Sequence, residues 1–550
     1  MTDEPAGSPT RPAPPPSPRR RWWRAETFAL LELAAVAGVA LAQPLLDIIG
    51  KSPDFFLFYG AGRREALLLL AAFVLVPPLV LWGVGLLAGL IGPRVRAAVH
   101  VGTLGGLLAL LAVQVGKQAL PVRGLPLVAV ALLAGAALAA AYWKWHAAKQ
   151  LVRLAAVGPV VFSLLFVFAS PASAVLLGGR DAVGAAAGAT GAHPPVVVIV
   201  LDELPLLSLL DGHGRIDAAR YPNFARLAGG STWYRNATGV SGWTPYAVPA
   251  MLTGQFPTRK VAPHYSQHPR NLFTLLSSRY DLRVQESITQ LCPPRSCDRG
   301  AARRGGLPTM LGESATLLSE IVSPQDTRRD PTASFAEPTV AEGDEPPPTD
   351  PKFRWDTLDD NQPVRFREFV TGLAEPAGRR PTLHFLHLLL PHTPWRYLPN
   401  GMRYEAPEDL PTGGSRWWPQ LARQRHLLQL RYADSLLGET LDALRDAGTY
   451  DESLIAVTAD HGVSFAADSV GRGMGHVEGS PAEVLWVPMF VKAPRQRAGA
   501  VDDRNWQHVD LLPTIADYAG VKPGWRVDGV SARGAARAGT DKPFYDAPDA

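Results

Sequence analysis

The chain's 550 residues are enough for more than one domain, and they carry a net charge of +4 and two cysteines. That charge averages two unlike halves: residues 25–178 are almost wholly Ala, Leu, Val, Gly and aromatics, whereas ordinary charged composition begins at about residue 190. Arginines cluster beside apolar stretches and no aromatic–basic stripe appears, which argues against a nucleic-acid partner and for membrane topology.

In chain order, residues 1–24 begin Pro-rich and polar and predict a disordered cytoplasmic tail. Residues 25–180 predict a transmembrane domain with five apolar stretches, near 27–46, 66–92, 97–116, 125–142 and 154–178. Each approaches or exceeds the roughly 20 apolar residues that cross a bilayer. The second contains Pro77-Pro78 and predicts a kinked or tilted span. Arg19, Arg20, Arg21 and Arg24 precede the first stretch, and Arg94, Arg96, Lys144, Lys149 and Arg153 fall in alternate loops. The basic bias predicts a cytoplasmic N-terminus and, after an odd number of spans, an extracytoplasmic C-terminal half at the plasma membrane.

Residues 190–530 predict the extracytoplasmic domain. Val196 to Leu201 is an uninterrupted aliphatic run ending in Asp202-Glu203, the pattern of a parallel strand buried on both faces. Similar runs recur at Leu383 to Leu390, Leu454 to Thr458 and Val487 to Val491, separated by helical segments such as Tyr221 to Leu227 and Gln424 to Asp446. This alternation predicts a mostly parallel, doubly wound α/β sheet with its site beyond the carboxyl ends of the strands. Cys292 and Cys297, in Cys-Pro-Pro-Arg-Ser-Cys, predict a local disulfide in an oxidising compartment. Residues 324–352, rich in Pro, Asp, Glu and Thr, break the pattern and predict a flexible surface insertion.

Four clusters could carry chemistry: Asp202-Glu203, Thr244, His392 in Leu-Pro-His-Thr-Pro-Trp, and Asp460-His461-Gly462. Singly, each has a plain explanation as a cap, a loop residue or a turn. Gathered at strand ends of one α/β domain, they make a hard oxygen-and-nitrogen site for a divalent cation with a hydroxyl in reach.

The residues from Tyr221-Pro222-Asn223 through Thr253-Gly254, from Asp434 to Gly462, and His508 to Thr514 resemble, in order and spacing, the signatures of the sulfatase family within the alkaline phosphatase superfamily. The resemblance spans about residues 195–521, and the five-span layout is similar to that of membrane-anchored lipoteichoic acid synthases. It implies an alkaline phosphatase/sulfatase-like fold and a metal-dependent hydrolase or transferase. Asp202, Thr244, Asp460 and His461 are then implied around one divalent cation, with Glu203 as a further acidic ligand. Mn or Mg is favoured, with Ca or Zn as alternatives. Thr244 is implied as nucleophile and ligand, His392 as a catalytic and substrate-contacting residue, and His476 as a substrate-binding residue.

The sequence departs from sulfate-ester hydrolases at the nucleophile. Their Cys or Ser, oxidised to formylglycine, is Thr244 here, and the arginine place four residues on is Val248. Threonine is similar instead to the nucleophile of phosphodiesterases and phospho-alcohol transferases in the superfamily. The expectation is phosphoryl or phospho-alcohol transfer on a membrane lipid or lipid-linked envelope glycan. A sulfuric-ester hydrolase and a catalytically inactive envelope scaffold are the alternatives.

Overall fold

A computed structural model describes residues 18–59, 61–122, 124–177, 193–258, 261–298, 306–324, 362–375, 378–404, 417–466, 469–471 and 481–546. The tail before residue 18, nearly all of the predicted insertion and His476 lie outside the described residues. The chain separates into two compact units, one comprising residues 1–47, 68–165 and 317–326, the other residues 48–67, 166–316 and 327–550.

Among the described residues, five helices are long and apolar enough to cross a membrane: α1 (Trp22–Lys51), α2 (Arg63–Ile91), α3 (Pro93–Ala119), α4 (Gly124–Lys144) and α5 (His146–Phe168). Pro77 and Pro78 lie inside α2 without ending it. The fifth stretch starts and stops earlier than the hydropathy of 154–178 predicts. A turn at Ser170-Pro171 ends the apolar run, and Ser173–Leu177 forms a separate short helix. In the first unit, α3 and α4 pack at Gly105 and Gly135, where a Cβ on Gly135 would come within 2.5 Å of the Gly105 carbonyl. Two carboxylates of α1 are paired inside the helices. Glu26 bonds Arg96 and accepts from Trp82 Nε1 at 3.1 Å. Glu32 meets Tyr142 Oη at 2.7 Å, Arg153 Nε at 2.8 Å and His100 Nε2 at 3.1 Å. Buried charge of this kind is tolerated only when paired.

In the second unit, eight strands form one sheet: β1 (Val196–Leu201), β2 (Thr232–Tyr234), β3 (Asp281–Gln285), β4 (Cys297–Asp298), β5 (Thr382–Leu388), β6 (Leu454–Ala459), β7 (Met489–Lys492) and β8 (Ala500–Asp502). Their order is β8-β2-β7-β6-β1-β5-β3-β4. The pairs β6–β1–β5–β3–β4 are parallel, and β7 runs antiparallel to both β6 and β2. The central strand β1 is buried along its whole length, and its period of two divides the core. Val196, Val198 and Val200 face Val248, Met251 and Leu252 of α7 (Thr244–Thr253). On the other face Val197, Ile199 and Leu201 belong with Phe224 and Leu227 of α6 (Pro222–Ala228) and Leu430, Leu437 and Leu441 of α8 (Trp417–Asp446). The result is a helix–sheet–helix sandwich, in which an aliphatic strand is the cheapest central element.

Two of the signature segments prove structural. Asp434 of α8 accepts hydrogen bonds from Asn223 N at 3.1 Å, Phe224 N at 2.9 Å and Asn223 Nδ2 at 2.9 Å, so it satisfies the open N-terminus of α6. One turn on, a Cβ at Gly438 would come within 2.6 Å of Asn223, so this side chain needs a glycine beneath it. Asp510, preceding α9 (Leu511–Tyr518), accepts from Gln507 N at 2.9 Å and Val530 N at 2.7 Å and pairs with Arg537. Cys292 and Cys297 are disulfide-bonded, with their Cα atoms 6.2 Å apart.

Asp434→Ala should therefore leave three donors at the start of α6 without an acceptor, while leaving the strand ends untouched. A loss of about 2 kcal/mol is expected, read as a lowered denaturant midpoint for the full chain. An unchanged midpoint would show that α6 does not depend on this cap.

Candidate metal and nucleophile site

The three central parallel strands end side by side, and the next residues of each turn into one place. Asp202 follows β1, Asp460 and His461 follow β6, and His387 is the penultimate residue of β5. All four are wholly buried. One ligand atom from each of Asp202, Asp460 and His461 can be chosen so that all lie within 4.8 Å of one another. From the facing side comes Thr244, the first residue of α7, whose Oγ1 donates to Asp460 Oδ2 at 2.6 Å and lies 3.3 Å from His461 Nε2. A hydroxyl at a helix N-terminus sits where the backbone N–H groups favour negative charge.

Asp460 is the hub of this arrangement. Its Oδ2 accepts from Thr244, while its Oδ1 accepts from His461 N at 2.8 Å and Glu203 N at 3.2 Å. The His461 ring is fixed in one tautomer: Nδ1 lies 3.1 Å from the Gly462 carbonyl, which can only accept, so Nδ1 carries the proton. Nε2 is left with its lone pair toward Asp460 Oδ2 at 3.3 Å and Asp202 Oδ1 at 3.8 Å. An imidazole tied back to a carbonyl, with its other nitrogen presented to two carboxylates, is the usual dress of a metal-ligating histidine. Two wholly buried carboxylates around one lone pair also need positive charge nearby. The donor set therefore fits a divalent cation held by Asp202, Asp460 and His461, with the Thr244 hydroxyl beside them.

Glu203, also wholly buried, stands beside this group, its N–H bonded to Asp460 Oδ1. Its backbone is left-handed, with φ 62°, and its Oε2 accepts from Thr393 N at 3.0 Å. It thus braces the loop that carries His392. That loop is held from α8 as well, where wholly buried Gln429 donates to the His392 carbonyl at 2.7 Å and accepts from Arg396 N at 2.8 Å and Tyr397 N at 3.2 Å. His392 Nδ1 is hydrogen-bonded to the Thr393 carbonyl, so Nδ1–H is the donor and Nε2 is the exchangeable nitrogen. Beneath the loop, His426 of α8 is enclosed with the rings of Trp395 and Phe465, and burial pushes its imidazole down to about 3. Val248 lies one turn into α7 and is wholly buried in the core against β1.

His387 is the site residue that the sequence reading passed over. Its Nε2 is 3.5 Å from Asp202 Oδ2 and 3.9 Å from Asp460 Oδ2. The available signal was a histidine at the penultimate position of a buried, mostly apolar strand.

A family model described as Sulfatase matches residues 194–521, the stretch that contains every residue of this site. Arylsulfatase K of Danio rerio is 33% identical over 88 residues, 16% of this chain and 16% of that protein. Choline-sulfatase of Rhizobium meliloti is 28% identical over 100 residues, 18% of this chain and 19% of that protein. The chain thus aligns with less than a fifth of the length of these curated relatives. Among solved structures, a phosphonate monoester hydrolase from Silicibacter pomeroyi is similar at 20% identity and a TM-score of 0.41, covering 62% of this chain and 76% of that one. A 2-O glycosaminoglycan sulfatase structure is similar at 15% identity and a TM-score of 0.43, covering 62% and 74%. Because the family model accounts for more than half of its length, the chain belongs to the sulfatase family.

Proposed function

We propose that this chain is a membrane-anchored, extracytoplasmic enzyme that transfers a phosphoryl or phospho-alcohol group on an envelope lipid or lipid-linked glycan through a covalent phospho-Thr244. The observation that carries this reading is the Thr244 hydroxyl, at the start of α7 and 2.6 Å from Asp460 Oδ2, with an apolar Val248 where an arginine would support an aldehyde hydrate. A divalent cation bound by Asp202, Asp460, His461 and Thr244, Mn or Mg by preference and Ca or Zn otherwise, would lower the hydroxyl pKa and offset charge on the phosphoryl oxygens.

The chain's own groups account for the protons. As the Thr244 Oγ1–phosphorus bond forms, the hydroxyl proton passes to Asp460 Oδ2, the atom it already bonds. The bond from phosphorus to the leaving oxygen breaks, and that oxygen takes a proton from His392 Nε2. In the second half, an acceptor hydroxyl or water gives its proton to His392 and attacks phosphorus. The Oγ1–phosphorus bond breaks, and Thr244 recovers its proton from Asp460.

Sulfuric-ester hydrolysis is the second reading, favoured by the family itself and by the short likeness to two sulfatases. An inactive scaffold is the third. Thr244→Ala should abolish a phospho-adduct seen by intact mass and lower phosphodiester turnover by several orders of magnitude, whereas Thr244→Ser should keep part of it. Faster hydrolysis of aryl sulfates than of phosphodiesters by the wild-type chain would favour the second reading. Undiminished turnover by Thr244→Ala would remove the nucleophile assignment, and absence of any turnover with metal bound would favour the scaffold.

The metal assignment has its own readout. An Asp460→Asn, His461→Ala double variant should lose nearly all bound divalent metal by elemental analysis of the folded protein, because the remaining ligands no longer match the charge of the ion. Full metal content in that variant would place the cation elsewhere.

Arg19, Arg20, Arg21 and Arg24, which precede the first span, support an N-in, C-out topology at the plasma membrane. In the second unit, Gln290 Nε2 donates to Leu57 O at 3.5 Å, joining the loop after α1 to the α/β domain. In the first, the segment ending α3 and beginning α4 meets residues 320–324, with Lys117 Nζ 3.3 Å from Glu320 O and Gly124 N 3.1 Å from Pro324 O. Alkaline phosphatase fusions after residue 190 should be active and fusions near residue 148 silent; the opposite pattern would reverse the orientation.

A further inference from the structure

The first unit carries a groove that the chemistry above does not use. It runs between α3 and α4, has a volume of about 580 Å³, and is lined by Gly102, Gly106, Ala136 and Ala140, with Trp143 and Lys144 at its mouth. Two kinds of glycine occur along it. Gly105 and Gly135 are glycine because the helices touch there: a Cβ on either would press on the facing helix, at 3.2 Å from Ala139 Cβ and 2.5 Å from Gly105 O. Gly102 and Gly106 are different. A Cβ at either would meet nothing within 4 Å, and both sit within an ordinary α-helix. Glycine costs helix stability relative to alanine, and neither packing nor backbone conformation explains it at these two positions. Their missing side chains leave the groove open.

The dimensions and charge of the groove suit one occupant. Along α4 it extends from Leu132 to Lys144, a rise of roughly 18 Å at 1.5 Å per residue. That is close to the depth of one leaflet of a hydrocarbon core about 30 Å thick. It ends at Trp143 and Lys144, residue types that settle at the headgroup level. Lys149 adds a second ammonium there, 5.6 Å and 5.8 Å from the ring centroids of Tyr142 and Trp143. Arg153 is neutralised by Glu32, and Glu32 also anchors Tyr142. Lys144 and Lys149 have no carboxylate partner among the described residues. The mouth is therefore a fixed wall with two uncompensated positive charges above a chain-length apolar trough.

We propose that this groove binds an anionic phospholipid, one acyl chain lying along Gly102, Gly106, Ala136 and Ala140 and the phosphate set against Lys144 and Lys149. The assignment rests on the membrane reading above but not on the reaction at Thr244.

The test uses the full chain in detergent, titrated with phosphatidylglycerol or phosphatidylcholine and read by native mass spectrometry. Wild-type protein should retain phosphatidylglycerol roughly tenfold better, the scale expected from two lysines near an anionic headgroup. Lys144→Ala with Lys149→Ala should abolish that preference while leaving the weaker retention common to both lipids. Gly106→Leu, and separately Gly102→Leu, should fill the trough and lose both lipids at an unchanged melting temperature. Gly83→Leu, whose added side chain also meets open space but lies on α2, should behave as wild type. Equal retention of the two lipids by wild type, or full retention by both groove-filling variants, would overturn the proposal. A chain that stays monodisperse without detergent and does not enter nanodiscs would instead overturn the membrane reading beneath it, which is a separate result.

Discussion

Everything at the candidate site depends on one buried carboxylate. Asp460 ties the end of β6 to the end of β1 through Oδ1 and to the start of α7 through Oδ2. A carboxylate has room for several donors, and here they come from three separate elements. Each is held independently: β1 by its neighbours on both sides, β6 by β1 and β7, and α7 by its apolar contacts with β1. The precision of the hydroxyl is thus inherited from the sheet, which is how a reactive group on a short helix can be held to fractions of an ångström. The same carboxylate lies beside Asp202, so two buried carboxylates concentrate negative charge in one place, which suits a cation.

Much of this was legible before any coordinates. An aliphatic run ending in acids announced β1 and its functional end, and the Thr-Ala-Asp-His-Gly ending of β6 did the same. The roles inside the acidic doublet were not legible. The reach of Glu203 Oε2 to Thr393 N comes with a left-handed turn at Glu203, and nothing in two adjacent acids reveals a φ of 62°. His387 was hidden for a related reason: inside a buried strand, a histidine reads as an interruption of the core until its partners across the sheet are known. Strand direction was also invisible, since the apolar run around Met489–Lys492 is the same read either way, and β7 proves antiparallel. The short strands β2, β4 and β8, of two or three residues each, carry too little pattern to be seen. The Tyr-Pro-Asn segment and Asp434 looked like part of a reactive signature, yet they fasten α6 to α8.

The two units solve opposite problems of burial. In the α/β domain, apolar area is hidden from water and the few buried polar groups are turned to use. Among the apolar helices, polar groups are the exception. Glu26 and Glu32 are matched to Arg96 and Arg153, so α1 is keyed to α3 and α5 by charge and not by shape alone. Such pairing is costly to break one partner at a time, and it gives the helices a defined register that a smooth apolar surface could not impose.

Val248 has a consequence for how this lineage could change. Its side chain is packed against the central strand of the sheet, so an arginine introduced there would have to bury a guanidinium in the core or lever α7 away from β1. Either would displace Thr244, which begins the same helix. The hydrophobic seat of α7 thus couples the side chain at position 248 to the placement of the hydroxyl at position 244.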